Sequence, residues 1–292
     1  MNKISFLIMG QKGYEVLKFM IQKHKNLIGT VVSAEDKSIQ EDYYDEIKQL
    51  CVDNKIPFFN RKQEYSIQTK YAFAIAWRWL LFLEDVKVII FHDSLLPKYR
   101  GFNPLVSCLL NEEKLIGVTA LFASEKFDCG DIIDQKSIEI EYPIKLQKAI
   151  DKIAQCYVKL VDSIVANIKQ NKTIEGCSQN EKEATYSVWR DIEDYRIDWS
   201  KDSNYIKRFI DALGFPYNSA SSMVNGRLTR ISEAQIVEDV KIENRYPGKV
   251  LYKENNNPVV ICGTGLLKIV SLLDNETREE LLPLRKFRTR FN

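Results

Sequence analysis

Short, nearly continuous apolar runs punctuate the first third of the chain, and they constrain its fold more than any other feature. Residues 4–10 (ISFLIMG), 27–34 (LIGTVVSA), 56–59 (IPFF), 72–77 (AFAIAW) and 86–91 (VKVIIF) lack the apolar–polar alternation of a half-wet strand. Runs too short for helices and apolar on successive residues read as strands covered on both faces. Helical periodicity lies between several of them, from Gly13 to about Lys23 and from about Tyr43 to Asn54. Strand–helix alternation of this kind builds a parallel sheet clothed by helices. Residues 117–124 (GVTALFAS) add a strand and 137–141 (SIEIE) alternate as an edge strand does. A long helical pattern from Lys145 to about Lys169 closes the unit.

The pattern changes downstream. Residues 171–184 are polar and turn-rich, which marks a connector. Residues 206–214 read as a helix stopped by Gly214 and Pro216. Residues 226–237, 248–253, 258–263 and 266–272 then read as short strands joined by tight turns, the pattern of a small barrel or sandwich. The expected architecture is a Rossmann-like, mostly parallel α/β domain over 1–180. A smaller β-rich, OB-like domain follows over 181–292. A chain of 292 residues is long enough for both.

Composition narrows the function by exclusion. A formal net charge of +2 is too small for a strongly basic face, which argues against a non-specific nucleic-acid binder. The six cysteines are scattered without a CxxC pair, and the two histidines have no metal-ligand spacing, so no metal is expected. Scattered thiols suit a reducing compartment, where they act as small apolar fillers. Met1 leads directly into a strand-like run without the features of a signal peptide, and no apolar stretch approaches membrane-spanning length. A cytoplasmic protein without a membrane partner is the expectation.

Two stretches carry possible chemistry. In VIIFHDSLLPKYRGFNP (88–104) an apolar strand runs into His92, and the chain then turns through Pro97, Gly101 and Pro104. Open parallel sheets bind ligands beyond the carboxyl ends of their strands, so His92 stands where a catalytic group belongs. A buried, hydrogen-bonded histidine fits the same place. In FASEKFDCGDII (122–133), Asp128 and Asp131 surround Cys129 and Gly130. That pattern marks a sharp turn, which needs no function of its own.

Together, the two stretches closely resemble the folate-dependent formyltransferase family. The family signature is a histidine followed by SLLPxYRG, then GVT, then DxGD. It stands here as His92, SLLPKYRG (94–101), GVT (117–119) and Asp128–Asp131. ATYS (184–187), IDW (197–199), FPYNSA (215–220) and PGKV (247–250) extend the likeness over most of the chain. The resemblance implies transfer of a formyl group from 10-formyltetrahydrofolate to an amine, through a tetrahedral centre with negative oxygen and positive nitrogen. It assigns His92 as acid/base and oxyanion partner, a task suited to an imidazole whose ordinary pKa is about 6.5. Asp128 becomes its orienting carboxylate and proton acceptor, near the donor as well as the base. The donor pocket falls at Trp77, Arg78, Trp79 and Leu80, where aromatic walls suit a flat heterocycle. The SLLPKYRG loop, with Lys98, Tyr99 and Arg100, becomes the wall toward the acceptor, its two cations placed to steer anionic groups.

Two departures stand out. The family carries Asn two residues before the histidine, where its amide holds the developing oxyanion; here Ile90 occupies that position. Losing such a donor costs roughly 3–4 kcal/mol, so another donor is expected. Asn103, in the same loop, is the candidate on both catalytic and acceptor-binding grounds, beside a backbone N–H or protonated His92. Asp93 is the second departure, and is expected to face solvent.

Three readings compete. FHDSLLPKYRGFNP looks more like the nucleotide-sugar N-formyltransferases, which implies a UDP- or TDP-linked 4-amino-4,6-dideoxy sugar and a role in glycan synthesis. The methionyl-tRNA enzymes carry a Lys/Arg-rich loop after the second strand. The matching stretch here, 33–46, is mainly acidic and would repel phosphates. A non-catalytic folate or nucleotide binder is the third reading, and the retained His92 and Asp128 argue against it. The second domain is left with two roles, homodimer contact or nucleotide contact, between which the sequence does not decide.

Overall fold

The computed structural model describes residues 3–79, 81, 83 and 85–292. The chain opens with β1 (Ile4–Ile8), α1 (Gly10–His24), β2 (Ile28–Ser33), α2 (Tyr44–Asn54), β3 (Phe58–Asn60), β4 (Tyr71–Ile75) and β5 (Lys87–His92). There follow β6 (Arg100–Gly101), α3 (Pro104–Leu110), β7 (Leu115–Phe122), β8 (Ile132–Glu139), α4 (Leu146–Lys169) and β9 (Tyr186–Ser187). The last stretch holds α5 (Ser203–Ala212), β10 (Ala220–Val224), β11 (Arg227–Val237), β12 (Val250–Glu254), β13 (Asn257–Ile261) and β14 (Leu266–Asp274).

The chain divides into two compact units. One comprises Met1–Cys108, Glu113–Ile140 and Lys148–Trp189; the other comprises Leu109–Glu112, Glu141–Gln147 and Arg190–Asn292. The polar stretch 171–184 therefore packs with the first unit, where Cys177 bridges to Ile132.

The first unit is built on a seven-stranded sheet in the order β3-β2-β1-β4-β5-β7-β8. Pairing is parallel from β3 through β5, while β7 and β8 are antiparallel, so the sheet is mostly parallel as its apolar runs require. Every residue of β1 and β4 is buried, the physical reason their sequences do not alternate. Phe6, Phe73, Phe91 and Tyr157 chain ring to ring across one face, at centroid separations of 5.5, 5.3 and 6.0 Å, and tie α4 to the sheet. Leu7, Val32, Ala72 and Val88 form a separate cluster, with Trp77, Leu81, Leu83 and Ile90 packed against it. Helix α4 buries Ile153, Tyr157, Leu160, Ile164 and Ile168 along one stripe. Each such aliphatic side chain contributes about 1.5–3 kcal/mol by leaving water.

The second unit carries an all-antiparallel sheet in the order β10-β11-β14-β13-β12. Asp202 caps α5, its carboxylate accepting from the N–H groups of Asn204 and Tyr205 at 3.0 and 2.9 Å. No helix among the described residues is long and apolar enough to cross a membrane.

Candidate active site

Strand β5 is nearly buried along its length and delivers His92 as its last residue. The chain then folds back over the strand end because Thr119 of β7 pins it from below. Its hydroxyl donates to Ser94 O (2.6 Å) and accepts from Leu96 N (3.1 Å). Gln135 of β8 donates to Leu96 O and to the same hydroxyl, at 2.9 and 2.8 Å. The SLLPKYRG and GVT motifs are thus two halves of one buried hydrogen-bond network. Tyr99, with φ +61°, aims its carbonyl back at the histidine.

That carbonyl lies 2.8 Å from His92 Nε2. A carbonyl only accepts, so Nε2 carries the hydrogen and, in the neutral ring, Nδ1 is left with a lone pair. Nδ1 faces Asp128 Oδ1 at 3.4 Å, with the two side chains only 8% and 11% exposed. Two acceptors facing one another is an unfavourable arrangement until a proton arrives between them, after which it becomes an ion pair.

Asp128 is held in place by backbone shape. It adopts φ +54° and its Oδ2 accepts from Gly101 N at 2.8 Å. Gly101 itself has φ +99°, and a Cβ there would stand 2.5 Å from Ser187 O. A Cβ at Gly130 would lie 1.8 Å from Phe122 O, which explains the glycine of the DCGD turn. Gln179 clamps the turn from outside, donating to Asp128 O and Gly130 O at 2.8 Å each. The exposed rings of Phe102 and Phe127, each next to one of these residues, meet at 5.7 Å.

Residues 78–165 match the family model described as formyl transferase, and residues 191–281 match the formyl transferase C-terminal domain. The chain belongs to the formyl transferase family. The methionyl-tRNA formyltransferase of Caldanaerobacter subterraneus subsp. tengcongensis is 31% identical over 200 residues, 68% of this chain and 63% of that protein. The bifunctional polymyxin resistance protein ArnA of Wigglesworthia glossinidia brevipalpis is 28% identical over 275 residues, 89% of this chain and 41% of that protein. The chain spans less than two thirds of the length of either relative. In fold it is similar to a Helicobacter canadensis N-formyltransferase solved with folinic acid and dTDP-3-aminofucose. That likeness has a TM-score of 0.68 at 20% identity, over 92% of this chain and 98% of the other.

Within this member of the formyl transferase family the remaining expected residues fall in three places. Trp77 and Trp79 follow β4 and meet edge to face at 5.1 Å, and Arg61 lies over the Trp79 ring at 4.0 Å. The indole N–H of Trp77 is buried and has no hydrogen-bond partner among the described residues. Arg78, between the two tryptophans in the chain, pairs with the buried carboxylate of Asp36. Leu80 lies outside the described residues. Asn103, with φ +49°, starts α3, its carbonyl accepting from Ser107 N at 3.1 Å. Ile90 is half-buried in the apolar cluster with Trp77, so an apolar wall stands where the family has an amide.

In the loop, Lys98 is exposed and Tyr99 donates its hydroxyl to Glu113 at 2.7 Å. Arg100 is not available to steer an anion. It is fully buried, and its guanidinium donates to Gln179 Oε1 (3.1 and 2.8 Å) and to both oxygens of Glu181 (2.9 and 2.8 Å). It ties the loop to residues 179–181, a structural use that the motif alone does not reveal.

Asp93 does not face solvent as expected. Lys12 of α1 and Tyr157 of α4 both donate to its carboxylate. Sequence reasoning missed these two residues, although signals were present. Tyr157 puts a hydroxyl on the apolar stripe of α4, and a buried phenol needs a partner. Lys12 is a cation in the first turn of a helix, where the dipole disfavours it.

Proposed function

We propose that this chain is an N-formyltransferase that moves a formyl group from 10-formyltetrahydrofolate to the amine of a nucleotide-linked amino sugar. The observation that carries the chemistry is the bare Nδ1 of His92 facing Asp128. An amine that attacks a formyl carbon must shed a proton, and Nδ1 accepts it while Asp128 stabilises the resulting imidazolium. The Tyr99 carbonyl prevents the ring from turning its N–H toward the amine. The folate supplies the formyl carbon and takes back the electron pair of the broken bond. The paired rings of Trp77 and Trp79 after β4 are the aromatic wall that suits its flat heterocycle.

For the acceptor, the stretch after β2 supports a sugar over tRNA. Asp36 pairs with Arg78 and accepts from Ser38 N at 3.1 Å. Asp42 accepts from the N–H groups of Asp36 and Tyr44 at 2.7 and 3.0 Å. The acidic side chains thus fold the segment onto itself, leaving no basic grip for a phosphate backbone. The methionyl-tRNA reading keeps the support of the curated relatives' names. The sugar reading carries with it a role in glycan synthesis, and we propose a cytoplasmic enzyme that forms a homodimer.

Incubation with 10-formyltetrahydrofolate and a panel of UDP- and TDP-linked 4-amino sugars tests it. A formamide on one sugar and none on methionyl-tRNA is the expected result. Transfer to methionyl-tRNA alone would replace it with the second reading, and tight folate binding without any transfer would leave a binding protein.

A further inference from the structure

The end of β5 carries a second ionic cluster that the proposed transfer does not use. Asp93 directly follows His92. Lys12 donates to its Oδ2 and Tyr157 to its Oδ1. The same phenol oxygen lies 3.1 Å from Phe91 O, on the other side of the histidine in the chain. Lys12 Nζ also stands 5.8 Å from the centroid of the Tyr157 ring. The side chains of Lys12 and Asp93 are 15% and 16% exposed, and Tyr157 is buried.

This is a costly way to fill the space. Each charge leaves water, and the lysine sits at the disfavoured end of a helix. Apolar side chains would pack there with less desolvation, so the cluster calls for a reason beyond stability. Burial opposes ionisation of Asp93, yet Lys12 and the two hydrogen bonds hold its carboxyl below the usual range. Burial, and then the Asp93 charge, push the Tyr157 phenol well up, which keeps it a donor. Several other ionisable groups surround the histidine, including Glu113, which accepts from the Tyr99 hydroxyl, and the buried Arg100, which is paired with Glu181. Asp128 faces Nδ1; Asp93, Lys12 from α1 and Tyr157 from α4 stand at the strand end; Lys98 is exposed in the loop. Cys108 of α3, within electrostatic reach of Asp93, is a thiol that burial pushes up to about 12, and is therefore neutral.

We propose that Lys12, Asp93 and Tyr157 are positioning residues that brace the main chain on both sides of His92 and cancel the Asp93 charge, so that Asp128 alone governs the proton on Nδ1. The inference rests on the reading of His92 as the base. Tyr157 and Asp93 form the brace, and Lys12 is the counter-charge. Without Lys12, a second uncompensated carboxylate would hold the proton on the ring and slow its release.

The test is a titration of the imidazole by NMR, which needs no substrate. The chain has only two histidines, His24 and His92, so His92→Gln assigns the signal by its loss. Lys12→Met removes the counter-charge and raises the His92 titration midpoint, whereas Asp93→Asn lowers it. Each shift is expected to be about half a pH unit or more for a charge at this range. The double variant Lys12→Met/Asp93→Asn returns the midpoint to near the native value. Lys12→Arg, which keeps the charge, leaves it in place. Tyr157→Phe changes no charge and lowers kcat several-fold at unchanged KM for the donor.

Shifts in the same direction for Lys12→Met and Asp93→Asn, or no shift in either, would overturn the charge-balance role. If a single variant does not fold, the double variant and Lys12→Arg still decide, because a midpoint displaced in either contradicts the proposal. Opposite shifts in a protein that transfers no formyl group would uphold the cluster and sink the reading of the reaction. Normal transfer with same-direction shifts would do the reverse.

Discussion

Two carboxylates stand beside His92, and the structure uses them in opposite ways. Asp128 accepts one backbone N–H and turns its other oxygen to Nδ1; among the described residues no lysine or arginine pairs with it. Asp93 is saturated by an ammonium and a phenol. The same functional group at similar burial faces an imidazole in one place and is tied to an ammonium and a phenol in the other. What separates them is the company each keeps: an unpaired carboxylate near an imidazole stabilises its cation, and a paired one has little charge left to offer.

Substitution at the histidine they share sets the scale of the contrast. His92→Ala should lower kcat by about a thousandfold or more, the upper range for a lost general base. Donor affinity, read from quenching of Trp77 and Trp79 fluorescence, should stay within about twofold, since a pure base contributes to the reaction rather than to uniform binding. Weakened donor binding would mean that His92 is a pocket wall.

Removing the charge from each carboxylate in turn tests the contrast directly. Asp128→Asn should cost about a hundredfold in kcat or more, because it removes the partner of the imidazolium while keeping the shape. Asp93→Asn should cost only about tenfold, through a loosened strand end and a base weakened by the uncompensated Lys12 rather than loss of a proton partner. Equal losses, measured side by side at saturating donor, would erase the distinction between the two.

Stability should invert that order. Asp93→Asn strands Lys12 in a largely buried site and should cost about 2–3 kcal/mol, while Asp128→Asn should cost under about 1 kcal/mol. The pH dependence carries a sign. The Asp93 carboxyl is held below its ordinary value in the fold. Its stabilisation is therefore fully present above the unfolded value, about 3.9, and is lost as pH falls through the lower folded one. Urea unfolding between pH 3 and pH 6 should show a shallower loss in Asp93→Asn than in the native chain, and an unchanged slope would contradict the ion pair.

The contrast also marks how far the sequence was legible. The sheet could be read because burial on both faces erases alternation, and β1 and β4 are buried at every residue. His92 and Asp128 could be read because the backbone that joins them demands rare residues, a glycine at 101 and another at 130. Asp93 and Arg100 could not. Lys12 lies 81 residues from Asp93 and Tyr157 lies 64, while Glu181 lies 81 residues from Arg100. No local pattern records such partners, so both residues looked exposed or free when they are tied. Strand β10 was missed for a related reason: ASSMV buries Ser221 and Ser222, small polar residues that do not read as an apolar run.

The smallest expected effect concerns the missing amide. Ile90 belongs to the apolar cluster with Trp77, so in the proposed reaction the oxyanion would draw its donor from elsewhere. Asn103 is the proposed substitute, because it precedes α3 only two residues beyond Gly101, whose N–H holds Asp128. Asn103→Ala should slow kcat about tenfold or more with little change in donor KM, the signature of an interaction made only as the reaction proceeds. Asn103→Asp, which keeps the shape but turns a donor into an acceptor, should be at least as slow. If both variants turn over at the native rate, the amide plays no part. The oxyanion would then rest on a backbone N–H or on His92 itself, and the imidazole would serve both charges of the reaction.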